Sequence, residues 1–164
     1  MQLTGYDVVL RPWTEDDLAT MAELFDDPGI AYRTPLASPF DLTAAREYLE
    51  MIRRSGEQRV HFAVTTDGGQ ARGEVLVNLA ASSMGWAVGA AHRGQGLAAR
   101  AVRLLVEHAH ETLAMPRLYA QIEPDNHASM AVAKATGFQL TDEAPQQVAD
   151  KGRSYELLTW LHTV

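Results

Sequence analysis

The sequence Val88-Gly89-Ala90-Ala91-His92-Arg93-Gly94-Gln95-Gly96-Leu97-Ala98, near the middle of the chain, separates two segments of different periodicity. Before it, Met84 to Val88 predicts a strand, and after it apolar residues recur at helical spacing from Leu97 to about Leu113. A strand that runs through a glycine-containing loop into a helix points free backbone N–H groups and the positive end of the helix dipole at one place. The sequence therefore predicts a binding site for phosphate oxygens here.

The residues of this loop narrow the choice of phosphate ligand. Glycines let an anion approach the backbone closely, and Arg93 adds a charge-assisted hydrogen bond worth about 1.5–3 kcal/mol. The lysine of a nucleoside-triphosphate loop is absent, since Leu97 and Ala98 follow Gly96. Gly94 to Ala99 fits the dinucleotide pattern G-x-G-x-x-A, but that pattern usually follows the first strand, and here more than half of the chain precedes it. A glycine turn without a ligand would explain neither Arg93 nor the paired glycines.

Three motifs resemble the GNAT superfamily of N-acetyltransferases. Arg93, Gly96 and Ala98 match R-x-x-G-x-A, which resembles the acyl-CoA pyrophosphate loop that this family carries between its fourth strand and third helix. The segment Asn126–Phe138 resembles the family's N-x-A-S…G-F segment. The opening Leu10-Arg11-Pro12-Trp13-Thr14-Glu15-Asp16-Asp17 is similar to that of the RimJ/RimL-like group, the ribosomal-protein N-terminal acetyltransferases. With the order of predicted elements, the resemblance covers nearly the full chain.

The predicted elements form an α/β mixed sheet with helices on both faces, in one domain that spans residues 1–164. The resemblance implies the GNAT fold, in which a mostly antiparallel sheet is split between the fourth and fifth strands. The predicted strands are Tyr6–Leu10, Val60–Val64, Arg72–Leu79, Ser82–Val88, Leu118–Glu123, Phe138–Leu140 and Tyr155–His162. The predicted helices run from Thr14 to the stop at Asp27-Pro28-Gly29, from Asp41 to Arg54, from Leu97 to Leu113 and from His127 to Thr136, with a loop over Ile30–Phe40.

Composition excludes several classes of function. The chain has 164 residues, a formal net charge of −7 and no cysteine. The acidic balance disfavours nucleic acid as a partner, and the lack of cysteine excludes disulfides, a thiolate metal site and a cysteine nucleophile; we expect no bound metal. No N-terminal apolar segment and no apolar run approaching about 18 residues is present, so we expect a cytoplasmic protein with no membrane partner.

The resemblance also implies which residues hold acetyl-CoA. The backbone groups of Val88 and Ala90 would pair with the pantetheine arm in the split of the sheet, although the family often has proline at the position of Ala90. The pyrophosphate would lie on Arg93, Gly94, Gln95, Gly96, Leu97 and Ala98. The side chain of Asn126 would hydrogen-bond the pantetheine arm, and Ser129 follows Asn126 by one helical turn.

Acetyl transfer to an amine needs a proton acceptor and a proton donor for the leaving thiolate. Many family members donate from a tyrosine in the last helix, but the corresponding position here is Ala133, which leaves Ser129 as the best donor or as a mere pantetheine contact. For the base we rank Glu123, at the end of the fifth strand, before Glu74 on the third. His61 and His127 are also near, and each of these residues taken alone could instead be structural.

The acceptor is best explained as an α-amine. Deprotonation at pH 7 costs about 4.6 kcal/mol for a lysine amine of pKa about 10.4, but only about 1 kcal/mol for an α-amine of pKa about 7.7–8.0. A site without an obvious strong base suits the α-amine. We therefore expect an acetyl-CoA-dependent N-acetyltransferase, acting in a ternary complex on a protein or peptide N-terminus as a monomer or homodimer. A small-molecule or antibiotic N-acetyltransferase, a non-catalytic acyl-CoA-binding module and a nicotinamide-dinucleotide domain are the alternatives.

Overall fold

The computed structural model describes residues 1–164 and has nine strands and five helices. No helix combines the length and the apolar character that crossing a membrane requires. The strands are β1 (Leu3–Gly5), β2 (Val8–Pro12), β3 (Arg59–Thr65), β4 (Gly73–Asn78), β5 (Ser83–Val88), β6 (Arg117–Ile122), β7 (Gln139–Leu140), β8 (Gln146–Asp150) and β9 (Arg153–Thr163). The helices are α1 (Leu18–Phe25), α2 (Pro28–Arg33), α3 (Leu42–Ser55), α4 (Leu97–Glu111) and α5 (His127–Ala135).

The strands form one sheet in the order β1-β2-β3-β4-β5-β6-β9-β7, and β8 pairs with β9 off this path. Every neighbouring pair is antiparallel except β5 and β6. The predicted mixed, mostly antiparallel architecture is confirmed. It also removes the structural basis for the dinucleotide alternative, because a dinucleotide-binding domain is built on parallel strands.

The parallel pair is short, and this opens the sheet. β5 and β6 are joined only at Ser83–Tyr119 and Met84–Ala120. Beyond these pairs β5 continues to Val88 and β6 to Ile122 without any further pairing. The sheet is therefore split between these two strands, which are the fourth and fifth of the strands predicted from the sequence.

The two faces of the sheet carry separate hydrophobic cores. Phe62 and Ala63 are adjacent buried residues of β3, yet they belong to different clusters of buried side chains. Side chains alternate between the faces of a strand, so each cluster lies on its own face. The cluster of Ala63 includes residues of α1, α2 and α3, and that of Phe62 includes residues of α4 and α5.

The N-terminal strand differs from the prediction. Instead of a single strand over Tyr6–Leu10, the chain forms a hairpin of β1 and β2. Tyr6 and Asp7 form the turn, with φ of 52° and 58°. A two-residue turn of this kind with positive φ matches the twist of a hairpin, which is why β-rich residues on both sides of it pair with one another.

The expected loop over Ile30–Phe40 is wrong at its start, where α2 runs from Pro28 to Arg33. Asp27 caps this helix, and its side chain accepts a hydrogen bond from the N–H of Ile30 at 3.0 Å. Proline is favoured at the first helical position because its missing N–H would be unpaired there. The residues that we interpreted only as the stop of the preceding helix also begin a new one.

The third difference lies near the C-terminus. β8 was not predicted, and β9 begins at Arg153 rather than at Tyr155. The two strands form a hairpin, in which Asp150 pairs with Arg153 across the turn at Lys151 and Gly152. This β8–β9 hairpin brings Lys151 and Arg153 to α2.

Candidate active site

A cleft of about 660 Å³ extends through the split in the sheet. Its walls include Trp86 and Ala87 of β5 and Ile122 of β6, so the strands on both sides of the split contribute. Of the predicted catalytic and pantetheine residues, the structure brings four to this one cleft: Glu74, Glu123, Asn126 and Ser129. A further wall is apolar and comes from the helices of one face and the loop between α2 and α3, through Phe25, Pro35, Leu36, Phe40 and Met51.

The edge of β5 offers backbone hydrogen bonds to a ligand in the split. The N–H of Gly89 donates to the carbonyl of Arg72 at 2.9 Å, on the side of β4. Hydrogen-bonded and non-bonded positions alternate along an antiparallel ladder, so the N–H groups of Val88 and Trp86 point away from β4, toward the split. An extended chain lying beside β5 could pair with these groups, as expected for Val88. Ala90 lies just beyond, in a single helical turn that ends at His92.

The glycine loop presents a row of amides that the chain itself does not use. None of the N–H groups from Gly94 to Ala99 donates to a backbone acceptor. Gly94 and Gly96 have φ of 80° and 70°, which glycine adopts without strain, and Gly96 is the residue that caps α4. Free amides at the start of a long helix fit the oxygens of a diphosphate, because the helix dipole adds to their attraction for an anion.

Arg93 is more constrained than the sequence suggests. Its side chain is half exposed, its Nε donates to the carbonyl of Val88 at 3.1 Å, and its Nη2 lies 3.2 Å from Oδ2 of Asp27. The N–H of Ile30 and the guanidinium of Arg93 together hold the pKa of Asp27 below its usual value. Arg93 therefore brings a positive charge to the loop, but its guanidinium is already paired with the carboxylate of Asp27.

Asn126 and Ser129 stand at the start of α5. Oδ1 of Asn126 accepts a hydrogen bond from the N–H of Ser129 at 3.3 Å and so caps the helix. This use of the oxygen leaves the side-chain N–H groups of Asn126 and the hydroxyl of Ser129 for a ligand. Ala133 is fully buried in the core, so the face of α5 that could have carried a tyrosine points into protein. His127 is exposed and is not among the residues that line the cleft.

Glu123 is buried and ion-paired. Its carboxylate accepts hydrogen bonds from Nη2 and Nη1 of Arg153, at 2.7 and 3.0 Å, and lies 3.0 Å from Nη1 of Arg33. These partners outweigh burial and hold the pKa of Glu123 below its usual value, with the hydrogen bonds from Arg153 as the largest cause. A carboxylate in this environment stays ionised and fully engaged, which makes proton transfer to it unfavourable.

Glu74 belongs to a buried polar group that the sequence did not reveal. Its carboxylate accepts hydrogen bonds from Nε1 of Trp13 at 2.8 Å and from the hydroxyl of Tyr48 at 2.5 Å. Nδ1 of His61 lies 3.2 Å from the same carboxylate. Burial, and next the charge of Glu74, raise the pKa of Tyr48 well above its usual value, so its hydroxyl stays protonated as a donor. Trp13 and Tyr48 lie far from Glu74 in sequence, and no local pattern marks them as its partners.

Comparison with known proteins places this split sheet in a family. Residues 7–139 match the family model described as an acetyltransferase (GNAT) domain. An uncharacterized N-acetyltransferase of Bacillus licheniformis, p20, is 22% identical over 140 residues, which cover 80% of this chain and 79% of that protein.

Two solved structures share the fold. Mycobacterium smegmatis RimJ in complex with CoA-disulfide is 21% identical with a TM-score of 0.84, covering 99% of this chain and 86% of that one. The microcin C7 self-immunity acetyltransferase MccE, in complex with acetyl-CoA and AMP, is 20% identical with a TM-score of 0.79. The match covers 98% of this chain and 94% of that one.

The split sheet and the amide loop define an acyltransferase scaffold, and the family match is decisive. The chain belongs to the GNAT acetyltransferase family. It is an N-acetyltransferase, and the expectation of an enzyme of this class is confirmed.

Proposed function

We propose that the protein transfers the acetyl group of acetyl-CoA to the α-amine at the N-terminus of a peptide or protein. The observation that carries the proposal is the cleft through the split sheet. Asn126 and Ser129 line it beside α5, and Glu74 lines it from β4 on the other half of the sheet. Donor and acceptor would therefore meet between these two groups, in one ternary complex.

The donor side uses backbone and side-chain groups of this chain. The free amides from Gly94 to Ala99 would hold the diphosphate, with Arg93 adding charge. The N–H groups of Val88 and Trp86, together with the side-chain amide of Asn126, would pair with the pantetheine arm. A β5 N–H that faces the thioester carbonyl would stabilise the negative charge that develops on its oxygen.

The leaving thiolate needs a proton, and Ser129 is the donor that we propose. It lies on the first turn of α5, with its N–H held by Asn126 and its hydroxyl unconstrained by that bond. The tyrosine used by many relatives has no counterpart at Ala133. Ser129 also lines the cleft, which supports a contact between its hydroxyl and the sulfur end of the donor.

On the acceptor side, we propose that the amine loses its proton to the buried group around Glu74. Glu123, which we ranked first from the sequence, is held by Arg33 and Arg153 and is better suited to fixing the cleft wall. The Glu74 group instead joins a carboxylate to an imidazole that lines the same cleft. An α-amine, which requires the smaller deprotonation free energy, suits this modest base.

A small-molecule amine is the second candidate acceptor. The MccE structure contains AMP, and MccE shares the fold with a TM-score of 0.79, against 0.84 for RimJ. The cleft wall of Phe25, Leu36 and Phe40 is apolar and would accept an apolar side chain of a peptide or an apolar part of a smaller amine.

Two measurements test the proposal. A thermal-shift titration with acetyl-CoA should raise the melting temperature as the ligand concentration rises. Release of free CoA thiol should then be followed with two peptides of the same core sequence. One has a free N-terminus and no lysine, and the other has a blocked N-terminus and one lysine.

We expect turnover with the free N-terminus and little with the lysine peptide. Turnover only with small amines would support the second candidate. Absence of any acetyl-CoA effect on melting would contradict the proposed donor.

A further inference from the structure

The imidazole of His61 is buried in the cleft with one nitrogen unpaired. His61 lines the cleft, and its side chain is 2% exposed. Nδ1 lies 3.2 Å from Oε2 of Glu74 and 3.2 Å from the hydroxyl of Tyr48, whereas Nε2 is buried and has no hydrogen-bond partner in the chain. Native proteins pair nearly all buried polar atoms, so an unpaired nitrogen in a ligand cleft indicates a partner that the ligand or its water supplies.

The surroundings of Nδ1 determine which nitrogen carries the proton. Glu74 already accepts hydrogen bonds from Trp13 and Tyr48. An ionised carboxylate can only accept, so Nδ1 of His61 must be the donor in its contact with Glu74. In the neutral ring Nε2 is then the basic nitrogen. With three donors around its two oxygens, Glu74 is better suited to holding the ring than to taking up a proton itself.

We propose that Nε2 of His61 accepts the proton that the attacking amine loses, directly or through one water, and that Glu74 is the residue that positions it. This inference rests on the proposed function, acetyl transfer to an amine. The N–C bond forms as the C–S bond of the thioester breaks, one proton leaves the amine nitrogen for Nε2, and the CoA thiolate takes up one proton. The carboxylate beside Nδ1 stabilises the imidazolium that results.

The charged and titratable neighbours of His61 come from three elements. Glu74 faces it from β4 and Tyr48 faces it from α3. Arg59, two residues earlier on β3, and Glu47 of α3 line the same cleft. Three of the four groups are acids or phenols, of which Glu74 and Tyr48 lie 3.2 Å from Nδ1, and Arg59 is the one cation.

The chain contains a matched control. His108 on α4 is also buried, and its Nε2 also lacks a partner. Its ring packs edge-on against Phe62, with centroids 6.5 Å apart, in the core on the opposite face of the sheet. It is not among the residues that line the cleft. Replacing His108 changes a buried histidine of the same kind without changing the proposed proton acceptor.

The test compares His61→Gln, His61→Ala and His108→Gln with the wild type, using acetyl-CoA and the free-N-terminus peptide. We expect both His61 variants to lower kcat by about 100-fold or more, with the dissociation constant of acetyl-CoA unchanged. The deficit should shrink as the pH rises, because the α-amine then loses its proton without help. His108→Gln should keep the pH profile of the wild type.

A structural role would give a different pattern. His61 variants with wild-type kcat, or with a deficit that is the same at every pH, would overturn the assignment. Nitrogen NMR of the imidazole gives a readout that needs no acceptor: we expect Nδ1 to carry the proton in the wild type, and protonation at Nε2 alone would also overturn it. Wild-type protein that binds acetyl-CoA but acetylates no amine would instead overturn the proposed function.

Discussion

Arg153 holds the carboxylate of Glu123 at two points, with Nη2 2.7 Å from Oε1 and Nη1 3.0 Å from Oε2. The contact connects the start of β9 to the residue that follows β6. The guanidinium of Arg153 also stacks on the rings of Tyr32 and Tyr155, 3.7 and 4.0 Å from their centroids. The β8–β9 hairpin is thereby attached to α2, the helix that leads into the apolar wall of the cleft.

We expect Glu123→Gln to lower the free energy of unfolding by about 1.5–3 kcal/mol, because it weakens charge-assisted hydrogen bonds to two arginines. Urea denaturation measures the change. Glu15→Gln is the matched control, since Glu15 pairs with Arg53 at 3.1 Å where both side chains are more than half exposed. Such a surface pair contributes about 0–1 kcal/mol. Equal losses in the two variants would show that burial adds nothing at Glu123.

The carboxylate of Glu123 also makes the free energy of unfolding depend on pH. The pKa of Glu123 is lowered in the folded state, chiefly by Arg153, so the unfolded chain binds a proton at this site more readily. Its contribution is fully present above the ordinary glutamate value of 4.5 and is lost as the pH falls through the lower folded value. We expect the stability difference between wild type and Glu123→Gln to shrink as the pH falls from about 6 to about 3. A difference that stays constant over this range would contradict the assignment.

Because Arg93 is paired with Asp27, substitutions at these two residues should change the affinity for CoA in opposite directions. Arg93→Ala should weaken CoA binding about tenfold, because a charged hydrogen bond to the diphosphate is lost. Asp27→Asn keeps a capping side chain for α2 but removes the competing carboxylate, so it should tighten binding by about two- to fivefold. Calorimetry measures both, with the exposed Arg54 of α3 replaced by alanine as a control. Weaker binding in Asp27→Asn would mean that Asp27 orients Arg93 rather than competing for it.

Gly73 of β4 and Gly85 of β5 should respond differently to substitution by alanine. A Cβ at Gly73 would lie 2.4 Å from the backbone oxygen of Ala87, whereas one at Gly85 would meet only the Leu76 side chain at 3.6 Å or more. Gly73→Ala must therefore push β4 and β5 apart, and we expect it to cost about 1–3 kcal/mol of stability. Gly85→Ala should be close to neutral in the same thermal-unfolding measurement. If Gly73→Ala left the thermal stability unchanged, β5 would be able to move without loss of stability.

Ser129→Ala separates proton donation from binding. If the hydroxyl protonates the thiolate, kcat should fall by about 100-fold while the affinity for acetyl-CoA stays the same. Ser129→Thr keeps the hydroxyl and should restore most of the rate. Stopped-flow thiol release and calorimetry together distinguish the roles, because a pantetheine contact alone would weaken binding and leave kcat intact.

The sequence was a good guide wherever the signal is local. The loop from Arg93 to Ala98 carries its glycines and the start of its helix in consecutive residues, and the structure has that arrangement. The short α2 was missed because Asp27 and Pro28 can end one helix as well as begin another. β8 was missed because its residues are largely exposed and lack apolar alternation, so only pairing with β9 makes it a strand.

The buried polar group around Glu74 could not be predicted from the sequence. Trp13 lies 61 positions before Glu74, and Tyr48 lies 26 positions before it. The donors to a buried carboxylate are set by the tertiary packing around it. Sequence spacing does not predict which side chains pack together across a sheet. Glu123 lines the cleft, but its two arginines come from α2 and the β8–β9 hairpin, neither of which was predicted from the sequence.

The two residue pairs that join β5 to β6 have a consequence for the chemistry. His61 and Glu74, on the proposed base side, belong to the first five strands, whereas Asn126 and Ser129, on the proposed acid side, follow β6. The proposed base and acid are therefore carried by parts of the chain on either side of the split. Met84 and Ala120 are both buried, and they form the last rung before the strands diverge. A larger side chain at either residue would change the distance between the proposed acid and the proposed base without contacting either of them.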